Sequence, residues 1–305
     1  MKILIYSASG LIGINLVKKL SSISLNNQIY LVSDRTIPTL FFTKMGINLQ
    51  NIKIVPDLEK LELEFDEIYH CGYSSQPDIF LNNPLVTIEK NISITPLLMR
   101  MLSSKGTIFY MSSSEVYSGC KILPCDETHL GDLNSMGNRI TYCISKLTTE
   151  KLIEGTILSS QKYYLIRVSL VYGPGIFPGD SRVMYKFIKE STTGAICING
   201  SPDAIRRYLY IDDFVDGVLY LRGQKSGIYN LGGETPITIL NLAELISKQT
   251  KANLEILEDK NKFKDSAPME VNLTMNKIKA LTQFSQKIDL ESGIKNVINW
   301  MSQVG

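Results

Sequence analysis

The stretch KILIYSASGLIG, residues 2–13, decides the fold of this chain. Its continuous apolar run at residues 2–6 is typical of a strand buried on both faces, and SASGLIG leads from it into a helix. The chain continues as short apolar runs that alternate with helical patterns, without internal repeats. This alternation predicts an α/β protein with a Rossmann-type, doubly wound parallel sheet.

The glycines of this stretch match the second and third positions of a G-x-x-G-x-x-G dinucleotide turn. Gly10 would let the backbone approach a pyrophosphate, and Gly13 would let the helix pack close to the strand. Leu11 and Ile12 lie between them, at the helix N-terminus. Ser7 replaces the first glycine, and a serine can be accommodated there if its φ is negative. The alternative is a plain strand–turn–helix connection that binds no cofactor.

The second apolar run, QIYLV, is followed by Ser33, Asp34 and Arg35. Asp34 lies about twenty residues beyond the glycine turn, where an acidic side chain accepts hydrogen bonds from an adenosine ribose. Arg35 could stack on adenine or bind a 2′-phosphate. The pattern predicts NAD as the cofactor and leaves NADP open.

Three further strands are predicted at 52–55, 66–69 and 107–111. Ligands of an open α/β sheet bind at the carboxyl ends of its strands. The third of these strands is preceded by a helix predicted at 85–102. The candidate cofactor contacts in this part of the chain are Asp57, Cys71, Gly72, Tyr73 and, on the helix, Asn91.

The stretch RITYCISK, residues 139–146, opens a helix predicted at 142–158. Tyr142 and Lys146 are four residues apart, so their side chains project from one face. A phenol is a poor base at neutral pH, but a neighbouring ammonium or a nicotinamide cation favours the phenolate, and tyrosine then becomes a usable general acid/base. Taken alone, the pair could also be a chance feature of a solvated helix.

The segment Ser112-Ser113-Ser114-Glu115 follows the strand at 107–111 directly. It places hydroxyls and a carboxylate at the carboxyl edge of the sheet, where ligands bind. A serine run is usually a turn or a cap. Here, however, it precedes the helix of Tyr142, as a hydroxyl partner of the phenol would.

These three signals resemble the extended short-chain dehydrogenases/reductases of the nucleotide-sugar epimerase/dehydratase group. The resemblance runs almost from end to end and includes RVSLVYGPG at 167–175, IRRYLYIDD at 205–213 and YNLG at 229–232. It implies an NAD-dependent enzyme that oxidises a nucleotide-diphosphate sugar to a transient keto-sugar. It also implies a homodimer built through the helices at 85–102 and 142–158.

The resemblance implies roles for individual residues as well. Tyr142 would be the general acid/base, Lys146 would hold the nicotinamide ribose, and Ser113 would bind the reacting sugar hydroxyl. Arg206 takes the position of an arginine that grips the nucleotide diphosphate, for which a guanidinium fork is well suited. The remaining implied substrate contacts are Ser114 and Tyr208.

Glu115 leaves the type of reaction open. It aligns with the glutamate of sugar-nucleotide 4,6-dehydratases, GDP-mannose dehydratases and UDP-glucuronate decarboxylases, where a carboxylate could remove a proton next to the new ketone. Arg139 is similar to the arginine of decarboxylase-like members, whereas a 4-epimerase needs no such acid. The alternatives are a UDP-glucuronate-type decarboxylase, an NADP-dependent reductase of a keto-deoxysugar nucleotide, and a non-catalytic NAD-binding scaffold or sensor.

Composition excludes several other classes of protein. The 305 residues are 44% hydrophobic, and 32 basic residues against 30 acidic ones give a net charge of +2, so nucleic acid and anionic membranes are poor partners. No apolar window reaches about 18 residues, which argues against a membrane span. Five cysteines without a CxxC pair predict free thiols in the cytoplasm, and two histidines make a metal site unexpected.

These observations predict two domains. Residues 1–171 would form the NAD(P)-binding Rossmann domain, to which 208–232 return. The rest of 172–305 would form a smaller α/β domain that binds the nucleotide sugar. The substrate is expected between the two domains.

Overall fold

The computed structural model describes residues 1–33, 35–72, 75–177, 179–256 and 268–304. Its strands, in chain order, are β1 Lys2–Tyr6, β2 Gln28–Val32, β3 Ile52–Ile54, β4 Phe65–His70, β5 Leu102–Met111, β6 Lys162–Val168, β7 Leu170–Tyr172, β8 Ala195–Ile198, β9 Ile205–Tyr210, β10 Gly227–Leu231, β11 Pro236–Thr238 and β12 Asn253–Ile256.

The helices in the same part of the chain are α1 Leu11–Ile23, α2 Thr39–Lys44, α3 Pro77–Asn82, α4 Pro84–Ile92, α5 Thr95–Arg100, α6 Ile140–Thr156, α7 Val183–Ser191, α8 Ile211–Tyr220, α9 Ile239–Thr250, α10 Asn276–Leu281 and α11 Leu290–Val304. Short 3₁₀ turns lie at Ser114–Tyr117, Leu133–Ser135 and Gly137–Arg139. None of the helices in the described ranges is both long and apolar enough to cross a bilayer.

A seven-stranded sheet forms the centre of the molecule. Its order is β10-β6-β5-β4-β1-β2-β3, and every neighbouring pair is parallel. The chain winds outward in one direction from β1 to β3 and then crosses to β4 on the other side of β1. Ligands of such sheets bind where the winding reverses, at the carboxyl ends of β1 and β4. The predicted Rossmann-type fold is therefore confirmed.

The central strands are buried on both faces because their side chains alternate between two apolar clusters. Ile3 and Ile5 pack into one cluster and Leu4 into the other, and none of the three has exposed surface. Burial on both faces requires a continuous apolar run, since a strand with one wet face would alternate with polar residues. The run at residues 2–6 is such a strand.

Two smaller sheets are built mainly from the C-terminal half. β9 lies between β7, with which it is parallel, and β11, with which it is antiparallel. β8 and β12 form a separate parallel pair. β10 follows these strands in the chain but belongs to the seven-stranded sheet, where it pairs with β6.

The single helix predicted at 85–102 is wrong. It is two helices, α4 and α5, and Leu102 already belongs to β5, which is therefore longer than the predicted strand at 107–111. The break has a local cause, because Pro96 lies in the first turn of α5 and has no N–H to continue the hydrogen bonding of α4. Leu102 pairs with Phe65 of β4, so contact with a distant strand fixes its conformation.

Candidate active site

Two cavities meet at the carboxyl edge of the large sheet. The first, of about 440 Å³, is termed here the turn cavity because the glycine turn, Tyr142 and Lys146 line it. The second, of about 380 Å³, is termed the arginine cavity because Arg206 and Arg207 line it. Some residues line both cavities, and the place where they lie is termed the junction. The junction residues used below are Ser114, Glu115, Arg139 and Arg182.

Ser7 adopts a backbone conformation that the sequence did not predict. Its φ is +62°, in the left-handed region, so the condition of a negative φ is not met. The Ser7 carbonyl accepts a hydrogen bond from the Gly10 N–H at 3.2 Å and so closes the turn. A non-glycine residue in this region is strained by roughly 1–2 kcal/mol. The turn therefore keeps its shape even though the first glycine is missing.

Gly10 and Gly13 are glycines for different reasons. A Cβ on Gly13 would lie 2.5 Å from the Ser7 carbonyl oxygen and 2.7 Å from the Ala8 Cα, so only glycine lets α1 pack this close to the turn. A Cβ on Gly10 would meet nothing nearer than the Ser7 oxygen at 3.5 Å. Gly10 is exposed, precedes α1 and has no side-chain cap, so the first N–H groups of α1 are open to an anion. This geometry fits a pyrophosphate held against the turn.

We predict opposite effects for two alanine substitutions in the turn. Gly13→Ala should lower the free energy of unfolding by about 1–3 kcal/mol, because the new methyl group overlaps backbone atoms. Gly10→Ala should leave thermal unfolding unchanged but weaken NAD binding about tenfold, because the methyl group lies where the pyrophosphate approaches. Thermal unfolding and NAD titration of both variants check this, and equal loss of stability in the two would contradict it.

Tyr142, Lys146 and Ser113 lie together on the wall of the turn cavity. Lys146 lies one helical turn beyond Tyr142 on α6, with its Nζ 5.6 Å from the centre of the phenol ring. The ammonium donates a hydrogen bond to the Met111 carbonyl oxygen at 3.0 Å. The Ser113 hydroxyl accepts the Glu115 N–H at 3.1 Å and also hydrogen-bonds Tyr142. The three predicted catalytic side chains therefore form one cluster.

Burial dominates the protonation of this cluster. It raises the pKa of Tyr142, and the hydrogen bond from Ser113, which lowers that pKa, does not offset the effect. Burial also lowers the pKa of Lys146 to about 8. Removal from water disfavours the charged form of each group, and so it opposes the Tyr142 phenolate that the Lys146 ammonium is expected to favour.

Glu115 and Arg139 form an ion pair at the junction. Arg139 donates from Nε to Oε2 at 2.8 Å and from Nη2 to Oε1 at 2.6 Å, and the Ser118 hydroxyl donates to Oε2 at 3.3 Å. The two side chains are only 19% and 12% exposed. The sequence singled out both residues but did not predict that they bind each other.

The arginines of the arginine cavity differ in their partners. Arg207 donates to Glu270 at 2.6 Å, and Arg182 binds Asp180 through Nε and Nη2. Arg206 contacts three backbone carbonyl oxygens and forms no ion pair within the described ranges. Burial accordingly lowers its pKa. Arg206 therefore combines a half-buried positive charge with donors that can bind an anion.

The other predicted site residues are divided between the cavities and their surroundings. Ser7, the residues from Gly10 to Gly13, Arg35 and Cys71 line the turn cavity, and Ser114 and Tyr208 line the arginine cavity. Asn91 is buried outside the turn cavity, where it donates to Ser145 of α6. Asp57 binds Lys60 at the surface, and Gly72 donates to His70. Asp34 and Tyr73 lie outside the described residues.

Arg35 points across the turn cavity from the end of β2. Its guanidinium carbon lies 5.5 Å from the centre of the Phe177 ring, which itself stacks on Phe41 at 4.1 Å. The predicted alternatives for Arg35 were stacking on adenine or binding a 2′-phosphate. Because this contact is with a ring of the protein itself, both alternatives for Arg35 stay predictions.

Sequence reasoning missed three residues of the site. Phe80 of α3 stacks on Tyr142, with ring centres 4.6 Å apart and planes inclined by 15°, and is 2% exposed. Arg182 and Asp180 lie beyond the VYGPG stretch in a loop with no recognisable spacing. The sequence offered only weak signals for these residues. Phe80 lies in a short apolar segment that begins with a proline, and Asp180 and Arg182 are oppositely charged residues two positions apart.

Comparison with known proteins gives a consistent picture. The model of the NAD dependent epimerase/dehydratase family matches residues 3–232. UDP-glucuronic acid decarboxylase 5 of Arabidopsis thaliana is 28% identical over 306 residues, covering 96% of this chain and 87% of the relative. UDP-glucuronic acid decarboxylase 1 of Danio rerio is 26% identical, covering 99% of this chain and 73% of the relative.

Solved structures share the fold at lower identity. UDP-glucuronic acid 4-epimerase from Bacillus cereus, solved with UDP-glucuronic acid and NAD, has a TM-score of 0.82 at 21% identity and covers 100% of both chains. UDP-glucose 4-epimerase from Thermotoga maritima, solved with UDP-glucose, has a TM-score of 0.80 at 22% identity and covers 99% of both chains.

Proposed function

This chain belongs to the NAD-dependent epimerase/dehydratase family, as the sequence predicted, and we propose that it acts on a nucleotide-diphosphate sugar through a transient keto-sugar. The family establishes an NAD-dependent enzyme. We propose the substrate and the roles of individual residues, and we propose the two domains with a boundary at residues 171 and 172. We propose no direct cofactor contact for Asn91, Asp57 and Gly72, because these residues do not line the turn cavity.

One observation carries the proposal. A tyrosine that can exchange protons lies on the wall of a cavity that begins at an anion-binding turn, and this cavity opens at the junction into one that contains Arg206. A dinucleotide in the turn cavity and a diphosphate at Arg206 would bring a sugar to the junction, next to Tyr142. An NAD-binding scaffold or sensor would not need this second cavity.

NAD supplies the chemistry of hydride acceptance and return when it is bound in the turn cavity. The Tyr142 oxygen takes the proton of the sugar hydroxyl as that carbon is oxidised, and gives a proton back when the ketone is reduced. Ser113 hydrogen-bonds the same hydroxyl and holds it towards Tyr142. Lys146 lies where it could hold the nicotinamide ribose. The positive charge of an oxidised nicotinamide beside the buried phenol would lower the pKa of Tyr142 and favour the phenolate that accepts this proton.

The fate of the keto-sugar depends on Glu115. Both of its oxygens already accept hydrogen bonds from Arg139, so it can remove a sugar proton only if it shares an oxygen with that arginine. An epimerase needs no such step, since the hydride returns to the opposite face of the ketone. A dehydratase or a decarboxylase is the second candidate, favoured by the position of Glu115 at the junction and by the decarboxylases among the relatives.

We also propose a homodimer. Helices α4 and α6 pack together and carry exposed apolar side chains, of which Leu85 is 81% exposed, Ile144 39% and Ile88 38%. A second copy would cover these side chains in a four-helix interface. A cytoplasmic location is supported by the five cysteines, all of which are free thiols.

The function is tested by incubating the NAD-loaded protein with a panel of UDP-, GDP-, CDP- and dTDP-hexoses and hexuronates. We expect one nucleotide to be selected and its sugar to be converted. An unchanged mass with altered stereochemistry identifies an epimerase, loss of water a dehydratase, and loss of carbon dioxide a decarboxylase. Conversion that requires added NADPH would show the reductase instead, and a panel without any conversion would contradict the proposal.

A further inference from the structure

A buried ion pair lies behind the catalytic cluster. The side chains of Glu150 on α6 and Arg167 on β6 are 0% and 3% exposed. The guanidinium donates from Nε to Glu150 Oε1 at 3.2 Å and from Nη2 to Oε2 at 2.9 Å. Within the described ranges, neither residue lines the turn cavity or the arginine cavity. Neither can therefore touch a ligand bound in these cavities.

Both partners of the ion pair form further hydrogen bonds. The Ser112 hydroxyl donates to Glu150 Oε1, which therefore accepts from two donors. Arg167 Nη1 donates to the Tyr117 hydroxyl at 3.0 Å. Through these bonds the pair connects α6 and β6 with the residue that follows β5 and with the 3₁₀ turn that carries Glu115.

The bond between Ser112 and Glu150 is one of three that join α6 to the end of β5. Three consecutive residues each hydrogen-bond one of three α6 residues that are spaced one helical turn apart: Met111 bonds Lys146, Ser112 bonds Glu150, and Ser113 bonds Tyr142. Ser113 and Tyr142 come from different elements, so the separation of their hydroxyls depends on how α6 packs against the end of β5. The bond from Ser112 spans these two elements, and Arg167 fixes its Glu150 end.

Given the proposed function, on which this inference rests, we infer that Glu150 is a positioning residue that sets the separation of Ser113 and Tyr142 through its hydrogen bond with Ser112. A charged acceptor makes such a bond shorter and stronger than a neutral one does. The stability of the fold does not by itself account for the ion pair, because an apolar pair of similar volume often stabilises a protein interior at least as well. The transfer of a proton, in contrast, needs a fixed geometry, since a misplacement of about 1 Å can cost about a hundredfold in rate.

The test is a double-substitution cycle with Tyr142→Phe. The measured rate is the rise of reduced-nicotinamide absorbance after the NAD-loaded protein is mixed with the nucleotide sugar selected by the panel. Ser112→Ala removes the hydroxyl and leaves the ion pair in place, so it should slow this rise about tenfold in the otherwise unchanged protein. In Tyr142→Phe protein it should slow the remaining rise less than about twofold, because the phenol that it positions is absent.

Ser145→Ala is the matched control. Ser145 is a fully buried serine of the same helix, but its hydroxyl bonds Asn91 and the Tyr142 carbonyl oxygen and not the end of β5. Its loss should lower the melting temperature by about 2–4 °C, as the loss of Ser112 should, and change the rate less than about twofold. The dissociation constants of NAD and of the nucleotide sugar should stay within about twofold of the wild type in both variants.

Three results would overturn the inference and leave the proposed function standing. The first is that Ser112→Ala slows the reaction by the same factor with and without the Tyr142 hydroxyl. The second is that it slows the reaction no more than Ser145→Ala does. The third is that it weakens NAD binding and leaves the rate at saturation unchanged, which would make Ser112 a cofactor contact. Absence of the reduced-nicotinamide band in the wild type would contradict the proposed function and, with it, this inference.

Glu150→Gln tests the carboxylate itself, because the amide keeps its shape but replaces one acceptor oxygen by a donor facing Ser112 or Arg167. It should slow the rise at least about tenfold, and less than about twofold in Tyr142→Phe protein. A folded Glu150→Gln variant with the wild-type rate would overturn the inference. If thermal unfolding shows that this variant is not folded, the cycle with Ser112→Ala decides.

Discussion

Replacement of Tyr142 by phenylalanine is expected to reduce turnover about a thousandfold, which is within the range that a positioned general acid/base contributes. The phenol oxygen is the atom that exchanges a proton with the sugar hydroxyl, and Ser113 alone cannot hold a negative charge at neutral pH. The ring itself remains stacked on Phe80 at 4.6 Å, so the fold and the shape of the turn cavity should be unchanged. The affinities for NAD and for the substrate should be unchanged while turnover falls.

The matched control is Tyr110→Phe. Tyr110 is buried on β5 beside the same ammonium, with Lys146 Nζ 5.2 Å from its ring centre, but it does not line either cavity. Its loss of a hydroxyl should therefore leave turnover within about twofold of the wild type. Steady-state kinetics and bound-cofactor content are measured for both variants. Turnover of Tyr142→Phe close to that of Tyr110→Phe would show that the phenol is not the acid/base.

Replacement of Lys146 by methionine is expected to remove most of the activity and yet stabilise the fold. Lys146 is 2% exposed, and burial lowers its pKa to about 8 from 10.5 in the unfolded chain. Keeping this group protonated in the interior costs free energy, which methionine does not incur. The pKa difference corresponds to about 3 kcal/mol, and loss of the hydrogen bond to Met111 offsets about 1 kcal/mol of that gain.

The direction in which the stability changes with pH follows from proton binding. Between pH 8 and pH 10.5 the unfolded chain binds more protons at this residue than the folded protein does, so the contribution of Lys146 to stability rises with pH through that window. The unfavourable contribution is fully present below about pH 8. Melting temperatures measured across this range should converge for wild type and Lys146→Met as pH rises. A variant that is less stable than the wild type at neutral pH would contradict this account.

Local patterns were sufficient for much of the fold and for the catalytic cluster. The continuous apolar run at 2–6 and the glycines after it define β1 and the start of α1, because burial on both faces and close packing each require a specific residue type. The spacing of Tyr142 and Lys146 placed both on one helical face for the same geometric reason. Ser113, which follows β5, was singled out by the resemblance to the family.

The remaining features depend on contacts between distant residues. The φ of Ser7 is set by the hydrogen bond to Gly10 and by the approach of α1, so its residue type gave no warning. Phe80 reaches Tyr142 from a different helix. The pKa values of Tyr142 and Lys146 are shifted by burial, and the sequence showed only that the two titratable groups would be neighbours.

The central claim is that Tyr142 promotes hydride transfer from the sugar to NAD at the junction. Rapid mixing of the NAD-loaded protein with its nucleotide sugar, followed at the near-ultraviolet absorbance band of reduced nicotinamide, tests this directly. The account predicts that the band rises before product appears in the wild type, and that it rises about a thousandfold more slowly in Tyr142→Phe. Product formation in a single turnover without that band, or a band that rises equally fast in the variant, would contradict it.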